Sequence, residues 1–274
     1  MIEIEREVDR AASLEAIARE VRGCTSCRLH QTRTLAVPGE GSPDTEVVFV
    51  GEGPGYNEDR QGRPFVGRAG ALLDKFLGSL DWRREDVFIT NIVKCRPPDN
   101  RDPEPDEIAA CAPYLRRQLE VLDPALVVTL GRHSLGRFMP GERISQAHGT
   151  IRPVDPATGA PGALAFALYH PAAALRASEI ERTSYEDVAR IPGALLEARA
   201  RRAGAIAAAV PAAPEPSAAA VRAAPEPIAA PEPAVAPEPV LEAAAPGPTL
   251  ESFNESRFEA ATDLAAPEDQ LTLF

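Results

Sequence analysis

Thr45-Glu-Val-Val-Phe-Val-Gly-Glu-Gly-Pro-Gly55 is the stretch on which the fold turns. Its first half, Thr45 to Val50, is a short run rich in β-branched and aromatic side chains, and its second half is a turn built on Gly51, Gly53, Pro54 and Gly55. Three more β-rich runs follow: Val87 to Val93, Leu126 to Leu130 and Ala163 to Tyr169. Helical stripes lie between them, Leu72, Leu73, Phe76, Leu77 and Leu80 in one and Ile108, Ala112, Leu115, Leu119 and Leu122 in another, at spacings of three and four. An earlier stripe, Leu14, Ile17 and Val21, is predicted to stop at Gly23. Nearly continuous apolar strands alternating with helices predict an α/β fold, a parallel sheet covered on both faces. The polar motifs follow the strand ends: Gly51 to Gly55, Asn91 to Pro98, Gly131-Arg-His and His170-Pro. Ligands sit at the carboxyl ends of strands in such sheets, so all four motifs are predicted to face one cleft.

Only the front of the 274-residue chain has the composition of a folded domain. Residues 203–274 hold 12 of the 28 prolines, no cysteine, and only Phe253, Phe258 and Phe274 as aromatics. Such a segment cannot bury enough apolar surface to offset its ordering entropy and is expected to be a disordered C-terminal tail. Four copies of Ala-Pro-Glu-Pro, starting at Ala213, Ala224, Ala230 and Ala236, mark residues 203–269 as an Ala/Pro/Glu-rich linker after a domain at 1–202. The tail also carries 11 acidic residues against Arg222 and Arg257, which leaves 27 Lys/Arg against 30 Asp/Glu in front. The overall net charge of −12 therefore does not exclude DNA as a partner of the folded part. The N-terminus lacks a basic flank and apolar run, and no apolar stretch approaches the roughly 18 residues of a membrane span. A cytoplasmic protein without a membrane partner is expected, and there four cysteines are ligands or catalytic groups before they are disulfides.

Cys24-Thr-Ser-Cys27 is a tight pair, and Cys95 and Cys111 form a second with fifteen residues between. Four thiolates suit tetrahedral zinc or an iron-sulfur cluster; on abundance the spacing alone leans slightly to zinc. Buried unliganded cysteines are the plain alternative, disfavoured because all four fall near motif segments. The Gly51–Gly55 turn lacks the Gly-Lys-Ser/Thr ending of a phosphate loop and the spacing of a dinucleotide fingerprint. Glu52, Glu58 and Asp59 stand in or beside it instead. Acids there repel phosphate but can activate water or stabilise a developing cation, the alternative being a tight turn with solvated acids.

Gly51-Glu-Gly-Pro-Gly-Tyr-Asn-Glu-Asp, Gly62-Arg-Pro-Phe-Val-Gly67, Asn91-Ile-Val-Lys-Cys-Arg-Pro-Pro98 and His170-Pro171, with the four cysteines, resemble the family 4 uracil-DNA glycosylases over roughly residues 14–200. The resemblance implies a three-layer α/β/α sandwich around a central four-stranded parallel sheet. It also implies a 4Fe-4S cluster on Cys24, Cys27, Cys95 and Cys111. The implied activity is flipping uracil out of single- or double-stranded DNA and hydrolysing its N-glycosidic bond to leave an abasic site, the first step of base excision repair. Phe65 would stack on the base, and the Asn91 amide would complement uracil O4 and N3-H while leaving cytosine mismatched. His170, with backbone N–H groups around Glu52 and Gly53, would bind uracil O2 as negative charge grows. Glu52 would activate water and stabilise the sugar cation, with Glu58 a second acid.

The acid at Glu52 favours a uracil-selective enzyme over a related family of broader specificity. No histidine occurs between Arg96 and Ile108, so the covalent trapping seen in another relative is not expected. Gly55 stands where better-known uracil glycosylases place a tyrosine against thymine's methyl, which leaves Glu58 as the candidate for thymine exclusion. Arg60, Arg63, Arg68, Arg96, Arg101 and Arg143 are candidate phosphate contacts, with Arg132 and Arg137 near the third strand end. Met139 to Gly149 departs from the family pattern and leaves the duplex wedge unassigned; His148 stays open between a structural role and DNA contact, and His30 and His133 read as surface or supporting residues. Gln270-Leu-Thr-Leu-Phe274 resembles the peptide by which bacterial repair proteins dock on the sliding clamp, with Gln270 at a rim and Leu271, Leu273 and Phe274 in an apolar pocket. A monomer is expected. Two other readings stay open: a catalytically weak lesion sensor or repair scaffold of the same fold, and a nucleotide-binding transferase using the glycine loop.

Overall fold

The computed structural model describes residues 2–209. Residues 210–269 of the expected linker and the closing peptide lie outside the described residues; residues 203–209, expected as linker, instead continue the last helix, Ile191–Ala209, which corrects the boundary at 202. Six strands form one sheet: β1 (Glu40–Gly41), β2 (Val47–Gly51), β3 (Phe88–Asn91), β4 (Leu126–Leu130), β5 (Ile151–Pro153) and β6 (Leu164–Leu168), in the order β1-β3-β2-β4-β6-β5. The four inner strands are mutually parallel, as alternation of strand and helix predicts. The expected four-stranded count is corrected to six by two short antiparallel edge strands, β1 on β3 and β5 on β6. Neither has a pattern to read: β1 is two residues long and half-exposed, and β5 ends in Pro153, a residue confined to sheet edges.

Nine helices cover the sheet among the described residues: α1 (Ile2–Gly23), α2 (Tyr56–Gln61), α3 (Arg68–Gly78), α4 (Pro105–Leu122), α5 (Arg132–Phe138), α6 (Ile144–Ala147), α7 (Pro171–Ala174), α8 (Ser178–Val188) and α9 (Ile191–Ala209). Successive side chains of a strand point to opposite faces, and β2 divides accordingly. Val47 and Phe49 join Leu73, Phe76 and Leu77 of α3 and Ile191 and Ala198 of α9 on one side. Val48 and Val50 join Leu14 of α1, Leu115 and Leu119 of α4 and Phe138 of α5 on the other. The result is the three-layer α/β/α sandwich. Helix α4 starts where Glu104 and Glu107 form a capping box with Pro105 at the first helical position, and the buried Glu107 accepts Arg101 Nη2 at 2.6 Å, which fixes the loop that returns from the end of β3.

Candidate active site and a four-cysteine pocket

At the carboxyl ends of the parallel strands lies a cleft of about 730 Å³ whose lining includes Glu52, Gly53, Glu58, Phe65, Tyr169 and His170. Asn91 lies beneath this lining. It is paired in register with Gly51 across β2 and β3, is only 1% exposed, and its Oδ1 has no hydrogen-bond partner among the described residues. Gly51 is what allows the close approach: a Cβ there would overlap the Asn91 amide oxygen and the Phe65 ring edge. The β2–β3 ladder runs on into the loops, with Ile92 N–H donating to Gly51 O at 3.0 Å and Val93 N–H to Glu52 O at 3.1 Å.

Phe65 sits in the left-handed region at φ 52°, a strained conformation for a non-glycine residue. Its neighbours hold it there. Arg84 donates to the carbonyls of Phe65 (3.1 Å) and Pro64 (2.6 Å), and Glu58 Oε1 accepts the N–H groups of Val66 and Gly67, both at 2.9 Å. Glu58 therefore both lines the cleft and anchors the Phe65 loop. Its Oε2 stands 2.8 Å from where a side chain at Gly55 would begin.

The Phe65 ring faces the His170 imidazole at 5.7 Å between centroids, tilted by 32°. His170 follows β6, and its Nδ1 accepts the N–H of Ala172 at 3.1 Å. A ring whose Nδ1 accepts carries its proton on Nε2, which makes His170 a donor from that atom. Burial, aided by the Arg176 charge and opposed by Glu58, lowers the His170 pKa to about 4, so this donor is neutral. Gly131, at φ 86°, gives the ring room: a Cβ there would lie 2.8 Å from the His170 Cβ.

Glu52 is held above the usual carboxylate range by burial; His133 and Arg132 pull it back, and Asp102 adds to the rise. His133 Nε2 lies 3.8 Å from Glu52 Oε2 and 3.3 Å from Asp102 Oδ1, and Arg132 pairs with Asp102. The structure places His133, expected as a surface or supporting residue, beside Glu52. The available signal was its position just after β4, because no spacing rule links it to Glu52. His148 pairs with the buried Asp187 at 2.7 Å while its ring packs on Tyr169 at 4.8 Å.

The candidate phosphate-binding arginines divide by their partners. Arg63 and Arg101 are engaged by Glu40 (2.7 Å) and Glu107 (2.6 Å), and Arg132 by Asp102. Among the described residues, Arg60, Arg68, Arg96 and Arg143 form no ion pair; Arg68, Arg96 and Arg143 adjoin residues of the cleft lining, and Arg176, which the sequence reading did not single out, belongs to it. Arg60 and Arg96 flank the exposed Tyr56, at 5.8 and 5.2 Å from its ring centroid.

The four cysteines line one small pocket between the end of α1, the loop after β3 and the middle of α4. Hydrogen-bond donors converge on the sulfurs: Arg33 Nη1 on Cys95 Sγ at 2.9 Å, Lys94 N–H on Cys111 Sγ at 3.2 Å and Ser26 N–H on Cys24 Sγ at 3.5 Å. Burial pushes the Cys111 thiol up to about 11. Donors aimed at three of the four sulfurs fit metal-bound thiolates. A single tetrahedral zinc ion with Zn–S near 2.3 Å needs its sulfurs about 3.8 Å apart. Among the described residues no three of these sulfurs lie within 4.8 Å of one another, so the pocket suits a larger, multi-iron group better than one ion.

The parallel sheet and its cleft define a class: the family model described as the uracil DNA glycosylase superfamily matches residues 38–190, a span that contains every strand and the cleft side chains from Glu52 to His170. Within it, the chain is 48% identical over 185 residues to the type-4 uracil-DNA glycosylase of Sulfurisphaera tokodaii, covering 65% of this chain and 83% of that protein. It is 48% identical over 187 residues to the type-4 uracil-DNA glycosylase of Saccharolobus solfataricus (67% and 87%) and 45% over 181 residues to that of Thermotoga maritima (65% and 93%). The chain belongs to the type-4 uracil-DNA glycosylases.

Proposed function

We propose that the cleft receives a uracil nucleotide extruded from DNA and hydrolyses its N-glycosidic bond, leaving an abasic site for base excision repair. The carrying observation is the buried, unpartnered Oδ1 of Asn91 beneath the Phe65–His170 pair. A buried acceptor left unpaired costs about 1–3 kcal/mol, and uracil N3-H is a donor that would satisfy it. The Asn91 amide N–H₂ then donates to O4. Cytosine presents the opposite pattern at both atoms and is rejected. Phe65 stacks on the base, and Glu58, whose carboxylate fills the space beside Gly55, stands against a methyl group on the pyrimidine.

Bond cleavage sends the C1′–N1 electron pair into uracil, where the charge spreads to O2. His170 donates to O2 from Nε2, and backbone N–H groups around Glu52 and Gly53 assist. The Glu52 carboxylate stabilises the sugar cation and takes a proton from the water that adds to C1′; the uracil anion takes up a proton in turn, so that water is divided between free uracil and a deoxyribose hydroxyl and Glu52 is returned as the carboxylate. Cys24, Cys27, Cys95 and Cys111 hold a 4Fe-4S cluster, which when bound ties α1 to the β3 loop and α4. The enzyme acts as a cytoplasmic monomer on nucleoid DNA. Gln270, Leu271, Leu273 and Phe274, outside the described residues, dock it on the sliding clamp.

Oligonucleotides bearing one uracil, single- and double-stranded, test this reading. Incubation with iron-replete protein should yield an alkali-labile site at uracil and none at cytosine or thymine in the same position. Intact uracil strands after prolonged incubation would leave the scaffold reading in its place.

A further inference from the structure

Lys94 stands between the cysteine pocket and the base cleft and belongs to neither by its usual chemistry. Its side chain is 1% exposed. The Nζ donates to Thr90 Oγ1 at 2.5 Å, Gln118 Oε1 at 2.7 Å and the backbone carbonyl of Asn91 at 2.9 Å. Three acceptors use all three protons of an ammonium, whereas a neutral amine has only two to give. All three acceptors are uncharged, and no carboxylate forms an ion pair with Lys94 among the described residues. On its other side the residue meets the cysteine pocket: the Lys94 backbone N–H donates to Cys111 Sγ, and Cys95 is the next residue in the chain.

We propose that Lys94 is a positioning residue that couples the cluster to base recognition: its backbone N–H is held by the Cys111 sulfur, and its Nζ fixes the Asn91 backbone beneath the cleft. The proposal rests on the cluster and Asn91 assignments made above. Gln118 and Thr90 complete the strut, because Gln118 Nε2 and Thr90 Oγ1 both donate to Pro38 O, at 2.7 and 3.0 Å. The ammonium is therefore held against the sheet edge on one side and against Asn91 on the other. Of its three contacts, the one to Asn91 adjoins the cleft, so displacement of the 94–95 backbone by loss of the cluster would reach the base-reading amide through it.

The test compares wild-type protein with Lys94→Met, both purified anaerobically. Iron per chain, the rate of cluster loss to a chelator, and KM and kcat on a uracil oligonucleotide are measured. Lys94→Met should lose its cluster several-fold faster and raise KM about tenfold with a smaller change in kcat, the signature of weakened base binding. Wild-type values for cluster loss and KM in the variant overturn the proposal. Wild-type protein without iron would instead sink the cluster reading itself, so the two failures are distinguishable. Where Lys94→Met does not fold, amide exchange on wild-type protein before and after chelation decides. Loss of protection across residues 90–94 supports the coupling, and unchanged protection there while residues 24–33 loosen refutes it.

Discussion

His133 Nε2 lies 3.8 Å from Glu52 Oε2 and 3.3 Å from Asp102 Oδ1, so the acid at the cleft wall shares its field with a histidine from the next strand end. Burial raises the Glu52 pKa, and His133 is the strongest of the groups that oppose the rise. The ionised form is the one that takes the proton from water. Activity should therefore climb with pH through a midpoint above the ordinary carboxylate value, and His133→Leu should move that limb to higher pH. Glu52→Gln should lower kcat by about 10²–10⁴. Single-turnover rates across pH check both, and an acid limb that stays put in His133→Leu removes His133 from this role.

A neutral His170 predicts the opposite shape for its own contribution. With its pKa lowered to about 4 by burial, the ring keeps the same donor across the physiological range, and His170→Gln should cost activity by a similar factor from pH 6 to 8. The sign for stability follows from proton binding. Between the folded value and the ordinary one near 6.5, the unfolded chain binds more protons than the native one. Stability from this group is thus fully present above about pH 6.5 and declines as pH falls toward 4, by up to about 3 kcal/mol. Denaturant titrations of wild type and His170→Gln at pH 7 and pH 5 measure it; a gap between the two proteins that does not change in favour of the variant at pH 5 contradicts the assignment.

Most of the sheet and much of the cleft could be read from sequence because they depend on local pattern. Apolar runs marked the four parallel strands, and β4 matches its predicted span, Leu126–Leu130. The motif residues Glu52, Phe65 and His170 share the cleft since each follows a strand or an adjoining turn. What could not be read depends on tertiary neighbours. His133 carries no spacing signal toward Glu52, and Glu58 gives no hint in sequence that one of its oxygens clamps two backbone amides. Arg63 and Arg68 look alike as surface cations, yet Arg63 is engaged by Glu40. The strain at Phe65 likewise follows from Arg84, nineteen residues away, pinning its carbonyl.

Gly51→Ala tests the depth of the base pocket. The new methyl would overlap both the Asn91 amide oxygen and the Phe65 ring. Overpacking of this kind costs about 1–3 kcal/mol of stability, and it also displaces the two groups proposed to read and stack the base. The expected result is a folded protein with an intact cluster spectrum whose kcat/KM on uracil falls by about 10²-fold or more. Unimpaired turnover would show that Asn91 and Phe65 do not define the pocket together. Asn91→Ala should have the same effect without the loss from overpacking.

The closing peptide predicts a separable function. Deleting residues 270–274 should leave turnover on short oligonucleotides unchanged and abolish binding to the sliding clamp, measured by surface capture. Clamp binding that survives the deletion would place the docking site elsewhere.

The arginines without carboxylate partners make the DNA track measurable. Each phosphate neutralised contributes about 0.9 to the slope of log affinity against log salt for a duplex and about 0.7 for a single strand. Arg60, Arg68, Arg96, Arg143 and Arg176 are proposed to supply these contacts, whereas Arg199, engaged by Glu46 at the other end of the strands, is not. Replacing Arg60 or Arg96 with alanine should reduce the slope by about one and weaken binding evenly across sequences. Arg199→Ala should leave it alone. Arg63→Ala falls between the two: it frees Glu40, which Arg84 still holds at 2.8 Å, and so should affect the Phe65 loop more than the salt dependence. A slope equally insensitive to Arg60, Arg96 and Arg199 would mean that DNA enters the cleft from another side.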